Sequence, residues 1–166
     1  VAEVSFTVYG TPAPQGSKRA FVGKSGKAHV IESSHDRVKS WRQAVIDEAL
    51  KVTSGMAAPV MYGGLGLDGP FTGALAVEMV FSLRRPKGHY RTGKNESFLR
   101  DSAPAHPITP PDASKLARST EDALTDSGIW ADDALITDLR AIKRYCPRLQ
   151  APGATITIRE IWEQEP

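Results

Sequence analysis

A chain of 166 residues, 40% hydrophobic and 24% charged, has the length of one domain and an ordinary globular composition, which excludes wholesale disorder and a collagen-like fibre. Twenty-one Lys and Arg against 19 Asp and Glu leave a net charge of +2, too small to identify a partner by itself. Cys146 is the lone cysteine, which excludes an intrachain disulfide and a cysteine-based zinc site. No apolar run approaches the ~18 residues that cross a bilayer, and the first residues lack a secretory signal pattern, so the expectation is a cytoplasmic protein with no membrane partner.

Residues 3–9 alternate polar and apolar and read as a strand with Val4, Phe6 and Val8 inward. Gly10, Pro12, Pro14 and Gly16 end it in a loop. The stretch to about residue 34 is Gly- and Lys-rich, with a short strand at 28–31. From 36 to 52 the period changes to helical: Val38, Trp41, Val45, Ile46 and Ala49 share one side, and Lys39, Arg42, Asp47 and Lys51 the other. Residues 54–70 carry glycines and prolines and read as a connection. Residues 72–83 form a long strand, apolar enough to be central.

A basic segment follows, and then a proline-rich stretch, 102–111, where missing donors and restricted neighbours exclude a regular helix. The second helix spans 112–125, with Leu116, Ala117, Thr120, Ala123 and Leu124 toward the core and Gly128 as its stop. Residues 129–130 are briefly extended. Two further strands occupy 135–145 and 154–162, with Ile156, Ile158 and Trp162 on one side of the last. Trp41, Trp130 and Trp162 all fall on apolar faces. No repeat is visible. The order predicts one mixed α+β domain over 1–166, a small mixed sheet with two main helices packed on it.

The distribution of charge is more informative than its sum. Between residues 84 and 100 lie Arg84, Arg85, Lys87, Arg91, Lys94 and Arg100 against the single acid Glu96. Lys18, Arg19, Lys24 and Lys27 form a second run, while Asp132 and Asp133 sit together elsewhere. A phosphate-binding surface with a separate acidic centre requires such segregation, although basic loops are commonly just solvated. Asp112 opens the second helix, and Asp132–Asp133 occupy the turn after it. Convergent carboxylates would suit Mg²⁺, which takes oxygen ligands and keeps several waters. Equally, Asp112 has the place of a helix N-cap, and Asp-Asp is common turn chemistry. Spacing alone leaves both readings open.

The run Asp112-Ala-Ser114-Lys115-Leu116-Ala-Arg118, then Asp122-Ala123-Leu124, then Gly128-Ile-Trp130 and Asp132-Asp133 resembles the signature of the RusA family of Holliday junction resolvases, small endonucleases of phages and prophages. That signature is roughly Asp-x-Asp-Asn-Leu-x-Lys, Asp-Ala-Leu, a short Gly/Trp stretch and Asp-Asp. The opening strand with its Gly-Pro loop and the closing strand are also similar. The resemblance implies a homodimer that cuts four-way DNA junctions by paired nicks with Mg²⁺, or alternatively Mn²⁺. By position it makes Asp112 and Asp133 catalytic metal ligands, with Asp132 adjacent as a third. Arg118 takes the place of the functional lysine, and Lys18, Arg19, Arg84, Arg85, Lys87, Arg91 and Lys115 are the expected DNA contacts. Two departures stand out. Ser114 replaces an aspartate, and Arg118 replaces a point charge with a planar fork. The alternative is therefore a junction-binding protein whose cleavage is weakened or lost. Asp138, Glu121 and Asp122 are candidate substitutes for the missing carboxylate, Asp122 more readily as a packing residue.

Overall fold

Period-two alternation produces the strands of a four-stranded sheet: β1 (Glu3–Tyr9), β4 (Leu75–Leu83), β5 (Ile136–Tyr145) and β6 (Gly153–Glu160). The computed structural model describes residues 2–16, 18–22, 28–32, 35–54 and 70–161, with 18–22, 28–32 and His35 described by backbone alone. The sheet order is β1-β6-β4-β5. β1 and β4 both run antiparallel to β6, whereas β4 and β5 are parallel. A parallel pair needs a crossover, and here the crossover carries the basic segment and the helix that bears the acidic motif. Strands β2 (Lys18–Val22) and β3 (Ala28–Glu32) form a separate antiparallel pair. β3 was expected. β2 was not, because five residues beginning Lys-Arg show too little alternation to declare a strand.

Both helices lie where the sequence pattern puts them. α1 (His35–Thr53) buries Val38, Trp41, Val45 and Ala49, and α2 (Ala113–Ser127) buries Leu116, Ala117, Thr120, Ala123 and Leu124. These side chains join Phe6, Val8, Val77, Met79, Phe81, Ile156 and Ile158 in one core. Burying each large apolar side chain contributes about 1.5–3 kcal/mol, so this shared core, rather than helix propensity, holds α1 and α2 on the sheet. One polar thread crosses it: the Trp41 indole Nε1 donates to Thr120 Oγ1 at 3.1 Å, and that hydroxyl donates to the Leu116 carbonyl at 2.9 Å. Trp130 is also buried, and its indole donates to Thr125 Oγ1 at 2.8 Å. Trp162 and most of the 54–70 connection lie outside the described residues.

Gly153 sets the closest approach between β1 and β6. A Cβ there would collide with the Val8 carbonyl oxygen, a rigid backbone atom in the paired strand. Gly153→Ala is therefore expected to lose about 1–3 kcal/mol of stability through overpacking, read as a lower denaturant midpoint at an unchanged m-value. An alanine variant as stable as the parent would mean that the two strands separate more easily than this register implies.

Candidate active site and nucleic-acid surface

Everything chemical in the acidic motif hangs on α2 and the turn after it. The helix starts at Asp112, an extended residue at the N-cap position, and stops at Gly128, whose left-handed φ of 73° is cheap only for glycine. Asp112 holds the cap position but makes no capping hydrogen bond through its side chain. Its exposed carboxylate instead faces Lys115, with Oδ2 3.3 Å from Nζ. The N-cap explanation for an aspartate here is thus not the one the side chain fulfils.

Asp132 and Asp133 play different parts. The Asp132 carboxylate accepts from the Ala134 amide at 2.7 Å and caps the short 3-10 turn Asp133–Leu135 that leads into β5. Asp133 has no such duty, and its exposed carboxylate acts electrostatically on Glu121, in the middle of α2. Ser114, Arg118 and Glu121 follow one another at four- and three-residue steps, so they share a face of the helix. That face connects the start of α2 with the Asp133 turn.

Glu121 is the functional candidate that sequence reasoning placed only among substitutes. It is half-buried, and its Oε1 is a buried atom with no hydrogen-bond partner among the described residues. Burial raises its pKa above 4.5, the negative charges of Asp133 and Asp122 raise it further, and Arg118 partly offsets them. A folded state that holds this proton more tightly than the unfolded chain loses stability as the carboxyl ionises. Below 4.5 Glu121 is neutral in both states and costs nothing. As pH rises through 4.5 and past the raised folded value, the penalty appears and then stays. In divalent-free buffer, Glu121→Gln is therefore expected to be more stable than the parent at pH 7, and the difference should close on acidification below 4.5. Thermal unfolding across that range checks it. A gap that does not change with pH would remove Glu121 from the electrostatic centre.

The other two candidate carboxylates are accounted for. Asp122 Oδ2 accepts from Gln15 Nε2 at 3.1 Å and from Arg42 NH1 at 3.4 Å, and Arg42 NH2 reaches Asp126 at 2.7 Å. These contacts tie the Gly-Pro loop and α1 to α2, the packing role expected for Asp122. Asp138 pairs with Ala76, which lies between the buried Leu75 and Val77. Side chains alternate across a sheet, so Asp138 points to the face away from the helices and from Asp133.

Among the described residues no group of three or more Asp, Glu, His or Cys side chains is assembled to hold a metal ion. An all-protein cage is therefore not what these residues offer. The orphaned Glu121 oxygen, within the electrostatic reach of Asp133, suits the water shell of an ion that takes one or two carboxylates and keeps most of its waters, which is the habit of Mg²⁺. Asp112 and Glu121 are nine positions apart, about 14 Å along the axis of α2, too far for both to touch one ion.

The basic segment is more ordered than its loop-like composition suggests. Two 3-10 turns, Lys87–His89 and Gly93–Asn95, and a bridge between Tyr90 and Leu99 fold it back on itself as a flap. Its arginines do much of the folding. Arg85 donates to the carbonyls of Pro104 and Ala105 at 2.7 and 3.4 Å while its guanidinium lies 4.0 Å from the Tyr145 ring centroid. Arg91 donates to the Leu99 carbonyl at 3.2 Å and pairs with Asp101 at 2.9 Å, and Arg100 donates to the Tyr90 carbonyl at 2.8 Å. The side chains of Arg84, Lys87 and Lys94 make no hydrogen bond or ion pair among the described residues. Of the expected DNA contacts, then, Arg84 and Lys87 are uncommitted, Arg85 and Arg91 brace the flap, and Lys115 faces Asp112. Lys18 and Arg19 lie in β2, their side chains outside the description. Lys143 of β5 joins this end to α2 by donating to the Thr109 and Pro111 carbonyls at 3.1 and 2.8 Å, immediately before Asp112.

A family model described as "Endodeoxyribonuclease RusA" matches residues 12–159. The chain is also 25% identical over 158 residues to the "Uncharacterized protein YqaN" of Bacillus subtilis (strain 168), covering 95% of this chain and 96% of that protein. Among the described residues no helix is long and apolar enough to cross a membrane.

Proposed function

The chain belongs to the RusA family of endodeoxyribonucleases, and from that premise we propose that it is a divalent-metal-dependent endonuclease that resolves four-way DNA junctions by paired nicks as a homodimer. The observation that carries the reading is the division of labour in the turn after α2. Asp132 caps, while Asp133 stays exposed and its charge acts on Glu121, whose buried Oε1 has no hydrogen-bond partner among the described residues. A turn built only for structure has no need of a second, uncapped aspartate opposite a half-buried glutamate.

In this reading Asp133 and Asp112 are the carboxylates that would hold Mg²⁺ or Mn²⁺, and Glu121 accepts a hydrogen bond from water near Asp133. The ion, when bound, supplies polarisation of the phosphoryl oxygen and a more acidic attacking water. Arg118, exposed on the same helix face, sets its guanidinium against the charge that grows on the phosphate oxygens in the transition state. Asp132 fixes the turn so that Asp133 is presented without rearrangement. Arg84 and Lys87, whose side chains have no partner to give up among the described residues, take backbone phosphates, contacts that position DNA without reading its sequence. A two-fold dimer fits a two-fold substrate, each subunit cutting one strand.

The departure at Ser114 favours one second reading, a protein that binds junctions but cuts them slowly or not at all. Incubation with a synthetic four-way junction, with and without Mg²⁺, separates the two. Paired, symmetric nicks that require the ion are the expected result. A retarded but intact junction in Mg²⁺ and in Mn²⁺ would establish the binder, and neither nicks nor retardation would overturn both.

A further inference from the structure

Between the flap and the turn after β5 lies a cavity of about 520 Å³, within the range of small-ligand sites. It is lined by Arg84, Lys87, Tyr90, Arg91, Glu96 and Arg148, among others. Cations dominate the lining, with Glu96 the only acid in it among the described residues. Arg148 answers Glu96 at 3.5 Å, an exposed pair, and its guanidinium stands 5.5 Å from the Tyr90 ring centroid. Tyr90 is half-buried where its neighbours from Arg91 to Arg100 are exposed, and its backbone is fixed by the bridge to Leu99 and by the Arg100 guanidinium on its carbonyl. Arg84 also lines a second, proline-walled groove of about 420 Å³ that includes Thr109, Pro110 and Pro111. The two therefore adjoin at Arg84, and the second reaches Pro111, the residue before Asp112.

We propose that this cavity is a subsite for one unpaired nucleotide of branched DNA, its base stacked on Tyr90 and its phosphate held by Arg84 and Lys87. The inference rests on the nuclease reading for its substrate class and extends it to a base that has left the helix. A cavity that served duplex phosphates alone would need only charge. This one places an aromatic ring on an anchored stretch of backbone beside an arginine, and every base offers a flat face to such a platform whatever its sequence. The flap's own hydrogen bonds hold the Tyr90 backbone in place before DNA arrives, which lowers the ordering cost of binding.

The test uses the full chain in EDTA with two probes: a duplex carrying one unpaired 2-aminopurine nucleotide, and the matching fully paired duplex. Wild type is expected to bind the first more tightly and to quench its fluorescence. Tyr90→Ala should weaken that binding about tenfold or more while leaving the paired duplex unchanged, and Tyr90→Phe should restore it, since stacking needs the ring and not the hydroxyl. Arg84→Ala should weaken both probes. Equal binding of the unpaired probe by Tyr90→Ala and wild type would overturn the subsite, as would loss in Tyr90→Phe as deep as in Tyr90→Ala. Should Tyr90→Ala unfold, the wild-type quench and the Tyr90→Phe affinity decide alone. Tyr90-dependent binding without junction cleavage would sink the nuclease and keep the subsite; cleavage with Tyr90-independent binding would do the reverse.

Discussion

Asp133→Asn is expected to lower divalent-dependent cleavage of a four-way junction by roughly 10²–10³-fold, the scale on which removing one preorganised electrostatic group acts, with the fold intact. The substitution keeps shape and removes charge. It leaves the turn's cap in place, because the Ala134 amide donates to Asp132 and not to Asp133. It also removes a like charge from the surroundings of Glu121, so stability at neutral pH should hold or rise slightly. A lost rate with an unchanged or higher melting temperature would therefore be chemistry and not unfolding. Asp132→Asn is the matched control: it keeps an oxygen for the Ala134 amide and should cut at close to the parental rate. Single-turnover kinetics on a labelled junction, with thermal unfolding of the same preparations, measures both. If Asp132→Asn were the dead variant and Asp133→Asn the active one, the ligand assignment would be reversed.

The frame of the fold was legible because it is written in periodicities. α1 and α2 announce themselves through Val38, Trp41, Val45 and Ala49 and through Leu116, Ala117, Thr120, Ala123 and Leu124, all of which the structure buries. Gly128 marks its helix end through a left-handed backbone that few other residues tolerate. The flap was not legible. Its order comes from arginine side chains bonding to carbonyls and a carboxylate ten or more residues away, and no local pattern encodes which acceptor a long side chain will reach. β2 was missed for a similar reason, since its pairing with β3 is a property of two short segments together.

In the site, residue type and family position singled out Asp112 and Asp133, but not what each does apart from catalysis. Asp132 and Asp133 are indistinguishable in sequence and become distinct only when one of them bonds to Ala134. Among Glu121, Asp122 and Asp138 the sequence set Asp122 apart as a packing residue but offered no means of choosing between the other two. The structure separates them: Asp122 bonds to Gln15 and Arg42, Asp138 lies on the far face of the sheet, and Glu121 lies within the electrostatic reach of Asp133. The same separation applies to the cations. Six basic residues in 17 positions read as one DNA-binding run, yet Arg85, Arg91 and Arg100 are committed to the flap's own carbonyls and acid. A charge count overstates the phosphate-binding surface, because a guanidinium that braces a loop has already used donors that a phosphate would need.

Ser114→Asp is expected to strengthen Mg²⁺ binding and raise the cleavage rate, each by about tenfold, the lower end of what a supporting carboxylate contributes at a metal centre. Ser114 is exposed in the first turn of α2, a turn with no acidic residue, and it shares the helix face of Arg118 and Glu121. A carboxylate there would lie between Asp112 and that face. It would also meet the positive end of the helix dipole, which favours a negative charge by about 0.3–1 kcal/mol. The variant should consequently be no less stable than the parent, and Lys115, now held by Asp112 at 3.3 Å, would have a second acid within reach. That neighbour supplies the means to divide the two effects. If Lys115 were what limits metal binding, Lys115→Ala alone would raise Mg²⁺ affinity and Ser114→Asp would add little to it. If the missing carboxylate is the limit, Ser114→Asp raises affinity in either background. Calorimetric titration with Mg²⁺, on variants first shown to be folded, distinguishes these outcomes without reference to cleavage. An affinity and a rate both unmoved by the new aspartate would place the reacting phosphate away from the start of α2, and the role carried over to Asp112 would fail with it.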